Sequence, residues 1–174
     1  MNEDATVTIS QPANSSFIPI TINVFSNSSQ SVDLTSWLNV IENTPENTVL
    51  NKGLYIRSTK FITAYYEESS NNNPEIFVLK GRNALGTNFF IPAQNLMQND
   101  WTRFSILPKN GFDIVATEDN TTITITPTKD VTGHTALTPF TITLNKGQTY
   151  NVTSFSNLGS NHLMGTTVLA DKPI

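Results

Sequence analysis

Four short segments of the sequence alternate apolar residues with threonine or another polar residue, and this pattern constrains the fold more than any other feature. The segments are residues 6–9, 20–24, 122–126 and 140–144. An apolar side chain at every second position is the pattern of a strand with one buried and one solvated face. Strands at this spacing, separated by frequent turns, predict an all-β protein built from antiparallel β-sandwich modules in tandem.

The composition supports this fold class. Thr, Asn and Ser together supply 61 of the 174 residues. Thr favours strands, Ser and Asn favour turns and caps, and all three are weak formers of helix interiors. The one helical pattern is a stripe of Leu34, Trp37, Leu38 and Ile41, which ends before Pro45. We therefore expect at most one short helix.

The composition also excludes several classes of protein. The chain has no cysteine, which rules out disulfide scaffolds, thiolate metal sites and cysteine nucleophiles. It has 10 Lys and Arg residues against 14 Asp and Glu residues, a net charge of -4, and no basic cluster. Because nucleic-acid binders need a surface that neutralises phosphates, no nucleic-acid partner is expected.

Neither a membrane helix nor a secretory signal is expected within this segment. No stretch approaches the roughly 20 apolar residues that a membrane helix requires, so no membrane insertion is expected within this segment. The N-terminus lacks the basic and apolar regions of a secretory signal. A surface of hydroxyls and amides suits an extracellular or cell-surface setting. We therefore expect a protein exported by a signal not present in this segment, which is itself truncated at both ends.

The chain contains an internal repeat. The matching stretches are residues 2–9 with 118–125, 19–22 with 139–142, and 53–62 with 165–174, at offsets of 116, 120 and 112. The same order of elements in both copies indicates two related modules, although threonine-rich strands can also resemble one another by composition alone. We predict an incomplete first module over residues 1–67, a connecting loop and short strand over 68–83, and a second module over 84–174 that is truncated at its C-terminal strand.

The first module has no counterpart of residues 85–116, so its sheet is expected to have unpaired edges. Flanking modules of the same chain are its expected neighbours.

No catalytic or cofactor motif is evident. His134 and His162 lie in polar loops, are expected at the surface, and have no spacing that suits catalysis or zinc. The turn Glu118, Asp119 and Asn120 brings together oxygens that suit a hard cation, but one turn rarely supplies six ligands and turn chemistry alone explains it. We therefore predict no enzyme, no cofactor and no metal, with this turn as the one weak candidate for a cation site.

Polar loops with aromatic or amide side chains are the candidates for ligand binding. The candidate residues are Trp101, Arg103, Asn72, Asn73 and His134. An exposed Trp ring can stack on a sugar, and the polar block over residues 67–75 is either a recognition loop or a linker. Further aromatic residues near polar segments are Trp37, Tyr65, Tyr66 and Tyr150. An extracellular glycan or protein is the expected partner.

Several longer strings are more distinctive than composition explains. They include Lys-Gly-Leu-Tyr-Ile at 52–56, Ile-Thr-Ala-Tyr-Tyr-Glu at 62–67, Leu-Lys-Gly-Arg-Asn-Ala-Leu-Gly-Thr at 79–87, Leu-Asn-Lys-Gly-Gln-Thr-Tyr at 144–150 and Asp-Lys-Pro-Ile at 171–174. Together with residues 73–77 and 112–122, they resemble the IgGFc-binding protein N-terminal domain family, and its bacterial, gliding-associated branch most closely. The resemblance extends from about Ala5 to the end.

The resemblance implies an extracellular β-rich module of a larger, Bacteroidetes-like surface or secreted protein, without catalytic residues. The antibody-binding label belongs to cysteine-rich mucus proteins, from which this cysteine-free chain departs, so antibody binding is not carried over. Our hypothesis is a non-enzymatic binding or adhesion module for a glycan, mucin or host protein. The alternatives are a structural spacer that projects other domains and, third, an enzyme such as a two-carboxylate glycosidase.

Overall fold

The computed structural model describes residues 3–69, 74–94 and 107–174. Twelve strands form within these residues, and every strand pair is antiparallel. They are β1 (Ala5–Ser10), β2 (Ile20–Val24), β3 (Val49–Leu50), β4 (Tyr55–Ser58), β5 (Ala64–Glu68), β6 (Glu75–Leu79), β7 (Asn88–Phe90), β8 (Gly111–Val115), β9 (Thr121–Thr126), β10 (Phe140–Leu144), β11 (Thr149–Thr153) and β12 (Thr167–Ala170). The predicted all-β class is confirmed.

The helical stripe forms one short helix, as predicted. A 3-10 turn at Thr35–Trp37 continues into α1 (Leu38–Ile41). The Asp33 carboxylate accepts a hydrogen bond of 2.8 Å from the Thr35 backbone nitrogen, and its hydrogen bonds with Thr35 lower the pKa of Asp33. Single 3-10 turns occur at Gly81–Ala84 and Gly159–Asn161. No helix among the described residues has the length and apolar character needed to cross a membrane.

The strands are arranged in four sheets. Their orders are β2-β1-β4, β10-β9-β12-β7, β3-β11-β8 and the two-stranded β5-β6. The second and third sheets face each other and enclose one core, to which Ile114 and Val152 contribute from one side and Ile123, Leu144 and Val168 from the other. Two sheets around a shared apolar core form an antiparallel β-sandwich.

The sequence repeat coincides with a repeat of strand pairing. Ile9 of β1 lies opposite Ile20 of β2, and Ile125 of β9 lies opposite Phe140 of β10. These two pairs are related by the sequence offsets of 116 and 120. The two hairpins therefore have the same register, although their connecting loops differ in length.

The solvated faces of the two hairpins also match. Thr8 and Thr21 place their hydroxyl oxygens 3.4 Å apart, and the equivalent Thr124 and Thr141 place theirs 3.3 Å apart. Directly opposed threonines are a stabilising cross-strand pair in antiparallel sheets. The alternating threonines thus form hydroxyl pairs across the strands, which gives the alternation a function in pairing as well as in solvation.

Neither β3 nor β11 belongs to the four alternating segments from which strands were predicted. β11 carries Asn151 at its centre, a residue with low strand propensity, and the alternation of apolar Tyr150 and Val152 with polar residues is the sequence signal that could have identified it. β3 is only two residues long and pairs with β11, with Val49 opposite Tyr150. Its existence depends on a partner about 100 residues away in the sequence.

The β3–β11 pairing brings the chain from the first repeat against the second. Next to it, the Gly53 nitrogen donates to the Gly147 backbone oxygen at 3.0 Å. A β-carbon on Gly53 would lie 2.6 Å from that oxygen and 2.9 Å from the Val115 Cγ2. The close approach of these two backbone segments therefore requires glycine at position 53.

We expect Gly53→Ala to lower the free energy of unfolding by about 3 kcal/mol, because the opposing atom is backbone and cannot move aside. Gly81→Ala is the matched control: Gly81 has φ +57 and no atom within 4 Å of its added β-carbon, so only the left-handed backbone costs energy, about 1 kcal/mol. Urea denaturation followed by circular dichroism measures both. Equal losses in the two variants would show that the close approach is not important.

Candidate functional site

The predicted binding residues fall into two groups. Trp101, Arg103, Asn72 and Asn73 lie outside the described residues. His134 is described, and its ring stacks on Phe140 with centroids 3.5 Å apart and planes 1° from parallel. The structure therefore surrounds His134 with intramolecular contacts.

Asn47 connects His134 to the first repeat. The His134 Nε2 lies 3.1 Å from the Asn47 Oδ1, and the same oxygen accepts a hydrogen bond from the Tyr150 hydroxyl. The Asn47 backbone nitrogen also donates to the Asn151 backbone oxygen at 3.0 Å. Its φ of 55 lies in the left-handed region that asparagine tolerates. Asn47 is thus a point where both repeats are joined by side chain and backbone.

His162 is buried, so its predicted place at the surface is wrong. Its Nδ1 hydrogen-bonds to the Gln94 backbone oxygen, and its Nε2 has no hydrogen-bond partner among the described residues. Because a carbonyl oxygen only accepts, Nδ1 carries the proton in this contact. His162 follows the 3-10 turn at Gly159–Asn161 and precedes the fully buried Leu163, whereas its polar neighbours in the sequence suggested an exposed loop.

The turn at residues 118–120 is held by lysines. The Lys172 ammonium donates to the backbone oxygens of Asp119 and Asn120, the latter at 3.1 Å. The Asp119 Oδ1 accepts from the Lys146 backbone nitrogen at 3.0 Å. Carbonyl oxygens that would suit a cation are therefore occupied by an ammonium group of the chain. Within the described ranges, no group of three or more His, Asp or Glu side chains could hold a metal ion.

A groove of about 690 Å³ opens where the two repeats meet, and we call it the junction groove. Its walls come from the end of α1 and the loop that follows, the segment before β4, and strands β5, β8 and β11. The lining residues are Ile41, Glu42, Asn43, Thr44, Lys52, Gly53, Leu54, Tyr66, Asp113, Thr149 and Asn151. A concave site that carries a few polar groups is the usual form of a small-ligand site.

Hydrogen bonds fix the wall that the first repeat supplies. The Lys52 ammonium donates to the backbone oxygens of Glu42 and Thr44 at 2.6 and 3.1 Å. The Thr149 hydroxyl donates to the Asn43 Oδ1 at 2.7 Å and so attaches this wall to β11. The groove is therefore pre-formed by contacts of the chain with itself.

The opposite wall presents a carboxylate beside an amide. Asp113 of β8 lies directly opposite Asn151 of β11, and the Asn151 Nδ2 donates to the Asp113 Oδ1 at 2.8 Å. Asp113 is exposed, as is the ring of Tyr66 on β5. An aromatic ring together with a carboxylate–amide pair offers an apolar face and several hydrogen-bonding groups to one ligand.

Tyr66 is one of the aromatic residues that the sequence places near polar segments, whereas Asp113 and Asn151 are not among the predicted site residues. These two are 38 positions apart, and only the register of β8 against β11 brings them together. The alternation in β11 was the available signal, since it places Asn151 on the face opposite to the buried Tyr150 and Val152.

Asn47→Ala is expected to lower the free energy of unfolding by about 2–3 kcal/mol, because two hydrogen bonds to the amide are lost and alanine is strained at this φ. Asn27→Ala is the control: Asn27 also has φ 55 but is exposed, and within the described residues its side chain bonds to the adjacent Ser26, so the change is expected to cost about 1 kcal/mol. Equilibrium unfolding in urea compares them. The assignment of Asn47 as a joining point would be wrong if the two losses were equal.

Burial raises the pKa of the Tyr150 hydroxyl above its ordinary value of 10.0. The unfolded chain therefore loses this proton at a lower pH than the folded protein, so the free energy of unfolding falls as the pH rises above about 10. We expect Tyr150→Phe to show a smaller fall between about pH 9 and about pH 11 in urea unfolding. The same pH dependence in both proteins would contradict this assignment.

A family model described as IgGFc binding protein matches residues 75–174, from the first residue of β6 to the end of the chain. No curated protein and no solved structure gives a significant match. The matched range includes Asp113, Thr149 and Asn151 of the junction groove. The other residues that line the groove precede the matched range.

Proposed function

The chain belongs to the IgGFc-binding protein family, a family of usually extracellular binding domains rather than enzymes, and from this membership we propose that it is a binding module whose ligand site is the junction groove. The module acts as a non-enzymatic adhesion or binding unit of a larger bacterial surface or secreted protein. Its ligand is a glycan, free or carried by a mucin or host protein.

One observation carries the proposal: the junction groove combines the exposed Tyr66 ring with the Asp113–Asn151 pair. The apolar face of a sugar ring can stack on tyrosine, and vicinal hydroxyls can donate to a carboxylate and accept from an amide. An open groove also suits an extended chain of sugars, which can enter and leave along its length.

A structural spacer is the second candidate, and the shared sheet favours it. Because β3 of the first repeat pairs with β11 of the second, the two repeats are joined by backbone hydrogen bonds. Such a joint resists bending, as a unit that projects another domain must. The spacer and the binding module are distinguished by whether the groove has a ligand.

The proposal is tested by probing an array of glycans, mucins and immunoglobulins with the protein of residues 1–174. Calorimetry then measures the affinity of each ligand that gives a signal. We expect Tyr66→Ala to weaken binding of the strongest glycan about tenfold, which corresponds to about 1.4 kcal/mol. Tyr65→Ala is the matched control, since this neighbour is also exposed and projects from the opposite face of β5.

Absence of any signal on the whole array would favour the spacer. If Tyr65→Ala and Tyr66→Ala weakened glycan binding equally, the junction groove would not be the binding site. Mass spectrometry of the recovered glycan gives a third outcome, since cleavage would contradict a non-enzymatic role.

A further inference from the structure

The sheet of β3, β11 and β8 turns one face to the core, and its other face contributes to the junction groove. Phe112 and Ile114 of β8 pack into the core, so Asp113 between them lies on the outer face. Asn151 of β11 lies opposite Asp113 on the same face. The alternation of the two strands therefore places a carboxylate and an amide side by side on the groove side of the sheet.

The first repeat covers one part of this outer face and leaves Asp113 exposed. Thr149 of β11 donates its hydroxyl to the Asn43 Oδ1 and is only 3% exposed. Asp113, in contrast, is exposed while it lines the same groove. The carboxylate is therefore placed where a ligand in the groove can reach it.

A chain of hydrogen bonds fixes the Asp113 carboxylate before any ligand binds. The Thr153 hydroxyl donates to the Asn151 Oδ1, which turns the Nδ2 end of the amide toward Asp113. This Nδ2 donates to the Asp113 Oδ1 at 2.8 Å. Because a carboxylate only accepts hydrogen bonds, the ligand group that meets it must be a donor.

No basic side chain neutralises Asp113 among the described residues. Within the described ranges the ion pair joins Lys60 to Glu3, neither of which lines the groove. Lys52 is the basic residue of the groove lining, but its ammonium lies on the other wall and donates to two backbone oxygens. Two of its three donors are therefore used within the chain. The wall of Asp113 thus presents a negative charge to a ligand.

Tyr66 adds a second group that attracts a cation. Its exposed ring lines the same groove as Asp113. The face of an aromatic ring attracts an ammonium group, and the walls of a cleft strengthen the field of a charge inside it. A sugar hydroxyl gives the carboxylate one neutral hydrogen bond, whereas an ammonium gives a charge-assisted bond that is roughly twice as strong. The groove therefore favours a ligand that combines a sugar ring with an ammonium group.

We propose that the junction groove selects glycans with free amino groups, such as oligomers of glucosamine that lack the N-acetyl group. The sugar ammonium binds the Asp113 carboxylate, and the apolar face of the sugar ring stacks on Tyr66. Asp113 is thus the residue that determines specificity. This selectivity rests on the proposed function, because it defines the class of glycan for the same groove.

The test compares two tetrasaccharides of the same linkage, the β-1,4-linked tetramer of glucosamine and its fully N-acetylated form. Calorimetry with the protein of residues 1–174 measures both affinities. We expect the glucosamine tetramer to bind about tenfold more tightly, because it alone forms a charge-assisted bond to Asp113. Raising the salt from about 0.1 M to about 1 M shortens the range of charge interactions from about 10 Å to about 3 Å, so the preference is expected to shrink.

Asp113→Asn removes the charge and keeps an oxygen that can accept from Asn151. It is expected to bring the two tetrasaccharides to equal affinity. Asp4→Asn is the matched control, because Asp4 is also exposed and also accepts one hydrogen bond, from the Ser26 backbone nitrogen at 2.7 Å, but does not line the groove. It is expected to keep the full preference, and the melting temperatures of both variants establish that they fold.

The possible results separate this selectivity from the proposed function. Equal affinities of the two tetrasaccharides, or an unchanged preference in Asp113→Asn, would overturn the selectivity. Tighter binding of a lysine tetrapeptide than of the glucosamine tetramer would also overturn it, since the ammonium would then come from a protein. A neutral glycan whose binding is weakened by Tyr66→Ala but not by Asp113→Asn would leave the proposed function in place without the selectivity. Absence of any glycan binding would overturn both.

Discussion

The short backbone contact between the two repeats is the constraint on which the junction depends. Gly53 meets Gly147 across a distance that admits no β-carbon, and β3 adds two residues to the edge of β11. Buried backbone groups need partners, and here each repeat supplies partners to the other. Together with the hydrogen bond from Thr149 to Asn43, this contact holds the loop after α1 beside β11 and so shapes one wall of the junction groove.

The alternation of apolar residues with threonine predicted the four strands of the two repeated hairpins well. β2 and β10 occupy the same residues as the segments from which they were predicted, and the offsets of the repeat also matched the register of their hairpins. This success has a local cause. A one-residue shift of a hairpin would turn every apolar side chain to the solvent, so the pattern and the pairing must agree.

The candidate site could not be predicted in the same way, because it is made of long-range pairs. Asp113 and Asn151 are neighbours only through the register of β8 on β11, and Asn47 reaches Tyr150 and His134 only after β3 has paired. No local sequence pattern predicts contacts between residues that are so far apart in the sequence. The polar neighbours that suggested exposed loops were equally present around His162, which is buried.

The two repeats differ in how completely their sheets are paired. The second repeat encloses its core between two sheets and covers the edge of β12 with β7. The first has the same three-stranded arrangement of β2, β1 and β4, but no strand of the described residues pairs with the outer edge of β4, and Ile56 is exposed. Because an unpaired strand edge favours pairing with a further strand, the two repeats differ in how completely their equivalent edges are satisfied.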